Sequence, residues 1–346
     1  MPLVLNAAAG DDGRRLDRIL RKGLPDTPLS LIHRLLRKGR ILVDGKPAAA
    51  DLRIRSGQII TVPLDGKIEE ENNHKGHKEE RDTNFVSFVV NDPSSLPPLI
   101  LFENADFLVL NKPAGLAVHG DDSLDTLVQA YLGPKIPPSL SFRPGPLHRL
   151  DKPTSGVIVF SASLGGAQYF SALLRSRSLA KGYLALVEGV IEKEGVWEDD
   201  LVRDHDRQKT LITKRGQAPS VIAAETQKGR PTPMQAAAGA QHARTRFKPL
   251  RVKPPYTLLQ LELDTGRTHQ IRAQAAAHGH ALAADRKYGS RQSGELLLHA
   301  WFLESPANTG PCLPRRIEAP LPERFRDKIR EIWGEGVPLS PGSSFQ

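Results

Sequence analysis

The sequence holds one cysteine, Cys312, in 346 residues. A lone thiol excludes an internal disulfide and any Cys-rich zinc module, and it suits a reducing, cytoplasmic setting. No run approaches the ~18 consecutive apolar residues that a membrane span requires. The opening MPLVLNAAAGDDG has no basic stretch followed by a long apolar one, so no secretory signal is expected. There is no GxxxxGK followed by Ser or Thr, and no GxGxxG after a strand, so nucleotide-cofactor chemistry is not indicated. The 11 histidines form no HExxH or similar cluster. His74 and His77 stand close together, but no further ligand lies at a useful spacing, and a hydrated tether explains them. The expectation is a chain that works without cofactor, metal or membrane.

Positive charge is what the sequence has in excess. Lys and Arg number 48 against 39 Asp and Glu, a net +9 with a pI near 9.6. A hydrophobic share of 39 % is enough for a buried core and argues against global disorder, and the length suits two domains. The charge favours a polyanionic partner. It is also uneven: residues 13–65 hold 12 Lys/Arg against 5 Asp/Glu, whereas 66–98 hold 4 against 7. A solvated helix face would interleave acids with bases, yet RRLDRILRKG and HRLLRKGR nearly lack acids. That block reads as nucleic-acid binding.

The basic block has a pattern of its own. Leu16, Ile19 and Leu20 recur at helical spacing, as do Leu31, Ile32, Leu35 and Leu36, with a break from Gly23 to Pro28 and a stop at Gly39. Ile41-Leu42-Val43, a turn at Asp44-Gly45 and the run Gln58–Val62 follow as β structure. Two short basic helices and a small β element, with LLRKGRILVDGKPA at the centre, resemble the RNA-binding module named after ribosomal protein S-four. The resemblance implies that Arg34, Arg37, Lys38 and Arg40 meet RNA. Residues 66–98, acidic at first and closing with Pro93, Pro97 and Pro98, read as a charged linker.

From Leu99 to about 335 the pattern changes to strands mixed with helices. LILFENADFLVLNKP reads as two strands around an Asn104–Asp106 turn, SLDTLVQAYLG as a helix, GVIVFSAS as a strand and LGGAQYFSALLRSRS as a helix. KGYLALVEG and YTLLQLELDTG read as strands, and RTHQIRAQAAAHG as a helix starting near Thr268. This mixed order indicates an α+β fold rather than regular βαβ winding. Residues 214–242, rich in Ala, Gln, Gly and Pro, read as a long exposed loop.

Three segments stand out as chemistry. In PGPLHRLDKPTSGVIVFSAS, the basic pair His148 and Arg149 precedes Asp151 at the mouth of an apolar strand. Asp151 could equally cap a turn. Tyr183 in KGYLALVEG is either core or a platform for a planar ligand. In DTGRTHQIRAQ, Arg267 and Arg272 either face solvent or pair with a carboxylate or phosphate.

HRLDKPTSG, KGYLALVEG and LDTGRTHQIR in that order, with NKPAGLAVH before and LLLHAWFLESP after, resemble the pseudouridine synthases of the RluA/RluC type. The resemblance covers about 99–320. It implies an isomerase that converts selected uridines to pseudouridine, with large-subunit (23S) ribosomal RNA as the expected partner and a monomer as the acting form. It also implies a mixed, largely antiparallel sheet with a central RNA cleft. Asp151 matches the catalytic aspartate, and Tyr183 the ring stacked on the uracil, also credited with proton removal. Arg272 matches the arginine paired with the aspartate, and Arg149 the residue that fills the space left by the flipped base. His148 and Arg267 are expected to contact RNA. The chain departs from the family at Ala283-Ala284-Asp285, where a Gly-Asp pair usually follows an apolar residue, and at the long 214–242 loop.

The reaction breaks the bond from ribose C1′ to uracil N1 and rejoins the base through C5. Bond types are nearly conserved, so no energy source or redox cofactor is required. A single carboxylate can serve by attacking base or sugar, or by assisting elimination, whereas a glycoside hydrolase normally uses two. The readings that compete with a synthase are an RNA-binding protein with an inactive synthase domain and a hydrolase that releases uracil.

Overall fold

In the computed structural model, residues 2–63, 93–204, 209–213, 240–306 and 313–334 are described. The chain divides into two units: Met1–Leu96 with Leu127–Gly145 and Ala162–Leu164, and Pro97–Thr126 with Pro146–Ser161 and Gly165–Gln346. Most of the 66–98 linker, His74, His77, Cys312 and the loop from 214 to 239 lie outside the described residues.

The first unit is built on β1 (Leu3–Asn6), α1 (Leu16–Gly23), α2 (Leu29–Arg37), β2 (Leu42–Val43), β3 (Lys46–Pro47) and β4 (Ile59–Val62). Its antiparallel sheet has the order β1-β4-β2-β3 and so takes in Leu3–Asn6, ahead of residue 13. Leu16, Ile19 and Leu20 of α1 and Ile32 and Leu36 of α2 meet Ile41, Ile54, Ile60 and Val62 in one core. Asp44 (φ 50°) and Gly45 (φ 77°) both take left-handed backbone, as a two-residue hairpin turn requires.

Asp11 ties this unit together. Its buried carboxylate accepts the N–H of Ala8 (3.1 Å) and of Leu140 (2.9 Å), and the hydroxyls of Ser139 and Ser141 (both 2.7 Å). Burial opposes the charge, but the donors of Leu140, Ser141, Ser139 and Ala8 outweigh it and hold the carboxyl below its ordinary value.

The second unit carries the larger sheet. Its strands are β5 (Ile100–Glu103), β6 (Phe107–Lys112), β7 (Gly145–Pro146, at the unit boundary), β8 (Ser155–Ser161), β9 (Ala180–Glu188), β10 (Gly195–Asp204), β11 (Lys209–Thr213), β12 (Gln241–Lys253), β13 (Tyr256–Leu263), β14 (Leu298–Glu304) and β15 (Arg316–Glu318). The helices are α3 (Leu124–Leu132, which belongs to the first unit from Leu127 on), α4 (Leu164–Arg175), α5 (Gln270–Ala277) and α6 (Glu323–Trp333). The order is β11-β10-β12-β13-β9-β14-β8-β6-β5, with β15 beside β14. Only β14 and β8 run parallel along this path, so the sheet is mixed and largely antiparallel, and the fold is α+β. The parallel pair depends on Gly156 (φ 112°): a Cβ there would fall 2.1 Å from the Ala300 carbonyl oxygen. The expected turn between β5 and β6 is present, with Asn104 Oδ1 accepting the N–H groups of Asp106 (2.9 Å) and Phe107 (2.8 Å).

Sequence reasoning did not find β10, β11 and β12. Charged side chains dilute the apolar alternation of β10, where Glu198, Asp199 and Asp200 follow one another, and of β12. In β12, Ala243, Thr245 and Phe247 are buried, while Arg244 and Arg246 point to the other side and meet Glu198 (3.8 Å) and Glu262 (3.2 Å) across the ladder.

Asp11→Asn turns an acceptor into a donor that faces donors. It should lower stability by about 1–3 kcal/mol, read as a fall in melting temperature. Because the folded carboxyl is held low, its contribution is complete above the unfolded carboxylate value and is lost as pH falls through the folded one, so the gap between wild type and variant should close in acid.

Candidate active site

A cleft of about 680 Å³ is lined by the loop before β8, the end of α4, β9, β12, the end of β13 and the start of α5. Asp151 sits in the loop before β8. That loop is held by Lys112, the last residue of β6. Its buried Nζ donates to the carbonyls of Pro113 (2.9 Å), Leu116 (2.8 Å) and Lys152 (3.1 Å). Burial pushes the Lys112 ammonium down to about 7, with the Asp151 carboxylate acting the other way. His148 anchors the same loop: its Nε2 accepts the Val159 N–H (3.1 Å), and its ring stacks on Phe170. Burial, then the charge of Lys181, takes His148 down to about 3, so the ring is neutral.

Arg272 lies in the first turn of α5. Its Nε and Nη2 donate to the two carboxylate oxygens of Asp285 at 2.7 and 2.8 Å, and its Nη1 reaches Asp151 Oδ2 at 3.4 Å. One edge of the planar fork is therefore fixed and one arm faces the cleft. Burial works against the guanidinium charge; Asp285, ahead of Asp151, more than restores it. The Tyr288 ring lies 5.1 Å from the guanidinium carbon.

His269 precedes the helix in left-handed backbone (φ 53°), which is why α5 begins at Gln270 and not near Thr268. Its Nδ1 is 2.8 Å from the Tyr288 hydroxyl, which also accepts the Thr210 N–H (2.9 Å). Its Nε2 is 3.8 Å from Asp151 Oδ2. Burial lowers the His269 ring to about 4, against the pull of Asp151. Tyr183 projects into the cleft from β9, held between Leu261 of β13 and Ala300 of β14. Burial, then the Asp151 carboxylate, raises its phenol, so the group stays protonated at neutral pH.

The structure thus brings Asp151, Tyr183, Arg272, Arg149, His148 and Arg267 to one cleft. Arg149 is exposed there. Arg267 is exposed too, its Nε donating to the His242 carbonyl (3.3 Å). Arg34, Arg37, Lys38 and Arg40 belong to the first unit, exposed on α2 and the turn after it. Sequence reasoning missed Lys112, His269, Tyr288 and the role of Asp285. The signal for Asp285 was the unusual Ala283-Ala284-Asp285 run: Ala284 takes the left-handed conformation (φ 64°) that favours glycine, at a cost of about 1 kcal/mol or more. Among the described residues no three His, Cys, Asp or Glu side chains converge as a metal site would require, and no helix is long and apolar enough to cross a membrane.

One carboxylate is held by an arginine and shares its cleft with a buried phenol, on a mixed sheet. The sequence profile of the family described as RNA pseudouridylate synthase matches residues 106–277. The chain is 30 % identical to ribosomal large subunit pseudouridine synthase C of Escherichia coli (strain K12), with 95 % of this chain and 96 % of that protein aligned. It is 31 % identical to the protein of that description in Yersinia pestis, over 93 % of each. Among solved structures, human RNA pseudouridylate synthase domain containing 4 shares the fold, with a TM-score of 0.55 and 22 % identity over 69 % of this chain and 95 % of that one. The chain belongs to the RNA pseudouridine synthase family, and it is an isomerase that acts on RNA.

Asp285→Asn should release the fixed edge of Arg272 and let the guanidinium close on Asp151. We expect a loss of about 3–5 kcal/mol of stability, as for other buried pairs stripped of one partner. At a temperature where the variant is folded, the single-turnover rate should fall at least tenfold. An unchanged rate would show that Asp285 does not set the position of Arg272.

Proposed function

We propose that this enzyme isomerises uridines of large-subunit ribosomal RNA, with Asp151 as the catalytic carboxylate and no cofactor. The observation that carries the reading is the placement of Asp151 Oδ2 at 3.4 Å from Arg272 Nη1, in a cleft that Tyr183 also lines. One carboxylate can serve whether it attacks the base or the sugar or assists elimination, and the neighbouring guanidinium orients it. Tyr183, protonated and buried, offers a flat ring on which an extruded uracil can stack. Extrusion costs a few kcal/mol, and the exposed Arg149 is suited to fill the gap left in the RNA. His148, neutral and bound to Val159, serves this cleft as an anchor of the Asp151 loop as well as part of its wall.

The large subunit as target is supported by the names of the relatives, described as ribosomal large subunit pseudouridine synthase C. The first unit supplies the further RNA contact on this reading. Arg34, Arg37, Lys38 and Arg40 are exposed on a small S-four-like module whose helices pack inward through their apolar sides. A cytoplasmic location follows from such a substrate.

Asp151→Asn should abolish pseudouridine formation under single-turnover conditions while RNA affinity stays within a few-fold; turnover near wild type would remove Asp151 from the chemistry. Release of free uracil by the wild type would favour a hydrolase. Replacing Arg34, Arg37, Lys38 and Arg40 together with Gln should flatten the log–log salt dependence of binding by roughly 0.7–0.9 for each phosphate that is no longer neutralised. A slope equal to wild type would show that this surface does not touch the RNA.

A further inference from the structure

Most cations of the cleft already have partners. Arg272 is held by Asp285 and Asp151, Arg244 by Asp264 and Glu198, Arg246 by Glu262 and Asp264, and Arg267 by the His242 carbonyl. Lys181 differs. It lines the cleft from β9, half-buried, and among the described residues its side chain has neither a carboxylate partner nor a hydrogen bond. Its surroundings contribute burial, which lowers the ammonium, and no opposing charge.

Its position is built rather than incidental. Lys181 stands two residues before Tyr183, so the two side chains share a face and their backbones are about 7 Å apart along the strand. That is a separation one nucleotide spans from its base to its phosphate. Gly266, in the turn after β13, leaves the space for the ammonium: a Cβ there would come within 3.3 Å of Lys181 Nζ. Arg177 lines the same cleft from the end of α4 and likewise has no carboxylate partner among the described residues. It occupies left-handed backbone (φ 54°) where a helix terminus ordinarily places glycine, with the Ser178 N–H donating to the Leu173 carbonyl (3.0 Å). A long cation in that conformation is strained by about 1 kcal/mol or more. A partly desolvated charge without a partner is unfavourable in the free protein, and it becomes favourable when the ligand brings the anion.

We infer that Lys181, with Arg177 on the same cleft, forms a phosphate subsite for the RNA phosphodiester next to the uridine stacked on Tyr183. The inference rests on the reading of Asp151 and Tyr183 given above and adds the group that fixes the nucleotide by its backbone. Lys181 makes no contact with Asp151, so it acts on binding and not on the bond changes.

The test uses the full chain and a short single-stranded oligouridylate, with affinity measured over a range of salt for wild type, Lys181→Met and Lys181→Arg. Lys181→Met removes a desolvated charge and keeps the length of the stem, so it should fold at least as well as wild type. We expect it to bind about tenfold more weakly, the loss typical of a charge-assisted bond. Its log–log salt slope should be smaller by about 0.7, one phosphate on a single strand. Lys181→Arg should keep the wild-type slope. A neutral methylphosphonate placed at each linkage in turn should weaken the wild type at one linkage and leave Lys181→Met unaffected there. Equal slopes for wild type and Lys181→Met, or equal methylphosphonate losses in both, would overturn the subsite. Conversion of uridine is followed separately on ribosomal RNA, where Lys181→Met should raise KM and leave kcat within about threefold. Absence of conversion by the wild type would remove the enzymatic reading while the salt slope still decides the subsite.

Discussion

The second unit is organised around a guanidinium that burial would otherwise destabilise. Arg272 is nearly covered, so its charge requires a carboxylate, and Asp285 supplies one through two short bonds. What remains of the fork, Nη1, faces Asp151 at 3.4 Å. The asymmetry matters. The short bonds hold the arginine to the protein, and the longer one orients Asp151 while leaving it lone pairs for a substrate. The neighbouring features serve the same pair: left-handed backbone at His269 and Ala284, the Tyr288 ring beside the guanidinium, and Lys112 bracing the loop that carries Asp151. Each of the two left-handed positions costs about 1 kcal/mol or more, and the ion pairs and packing around them over-determine the arrangement.

The cleft holds paired and unpaired charges side by side. On β12 and β13 the arginines meet glutamate and aspartate across the ladder and form a wall that is close to neutral. Two of the three histidines that line the cleft, His148 and His269, are driven to about 3 and about 4 by burial and stay uncharged near neutral pH. Among the described residues, Arg149, Arg177, Lys181 and Arg267 have no carboxylate partner, and all four line the same space. On the proposed reading, paired charges shape the pocket for an uncharged base and unpaired ones meet the phosphates around it. No group in this scheme needs a redox partner, which agrees with a reaction whose broken and formed bonds are nearly equivalent.

The sequence was most informative where a motif combined apolar periodicity with unusual polar residues. HRLDKPTSG, KGYLALVEG and LDTGRTHQIR led to the family, and Asp151, Tyr183 and Arg272 do meet at one cleft. Helices α1 and α2 were legible from Leu16, Ile19, Leu20, Ile32 and Leu36, which face one core. Strands β10 and β12 were not, because Glu198, Asp199 and Asp200 in the one and Arg244 and Arg246 in the other interrupt the apolar period. The roles of Asp285 and Lys112 were also not legible, for a different reason. A lone Asp and a lone Lys acquire meaning only when the fold buries them beside Arg272 and beside three carbonyls. Their partners lie 13 or up to 40 residues away in sequence.

The central claim is that this chain makes pseudouridine in large-subunit ribosomal RNA through Asp151. It is tested most directly in cells whose only copy of the protein is wild type, absent or Asp151→Asn, with pseudouridines mapped along the RNA. The account predicts that the same uridines lose their modification in the absent and Asp151→Asn cases, with protein levels of the variant equal to wild type. Modification that disappears with the protein but persists in Asp151→Asn would contradict it.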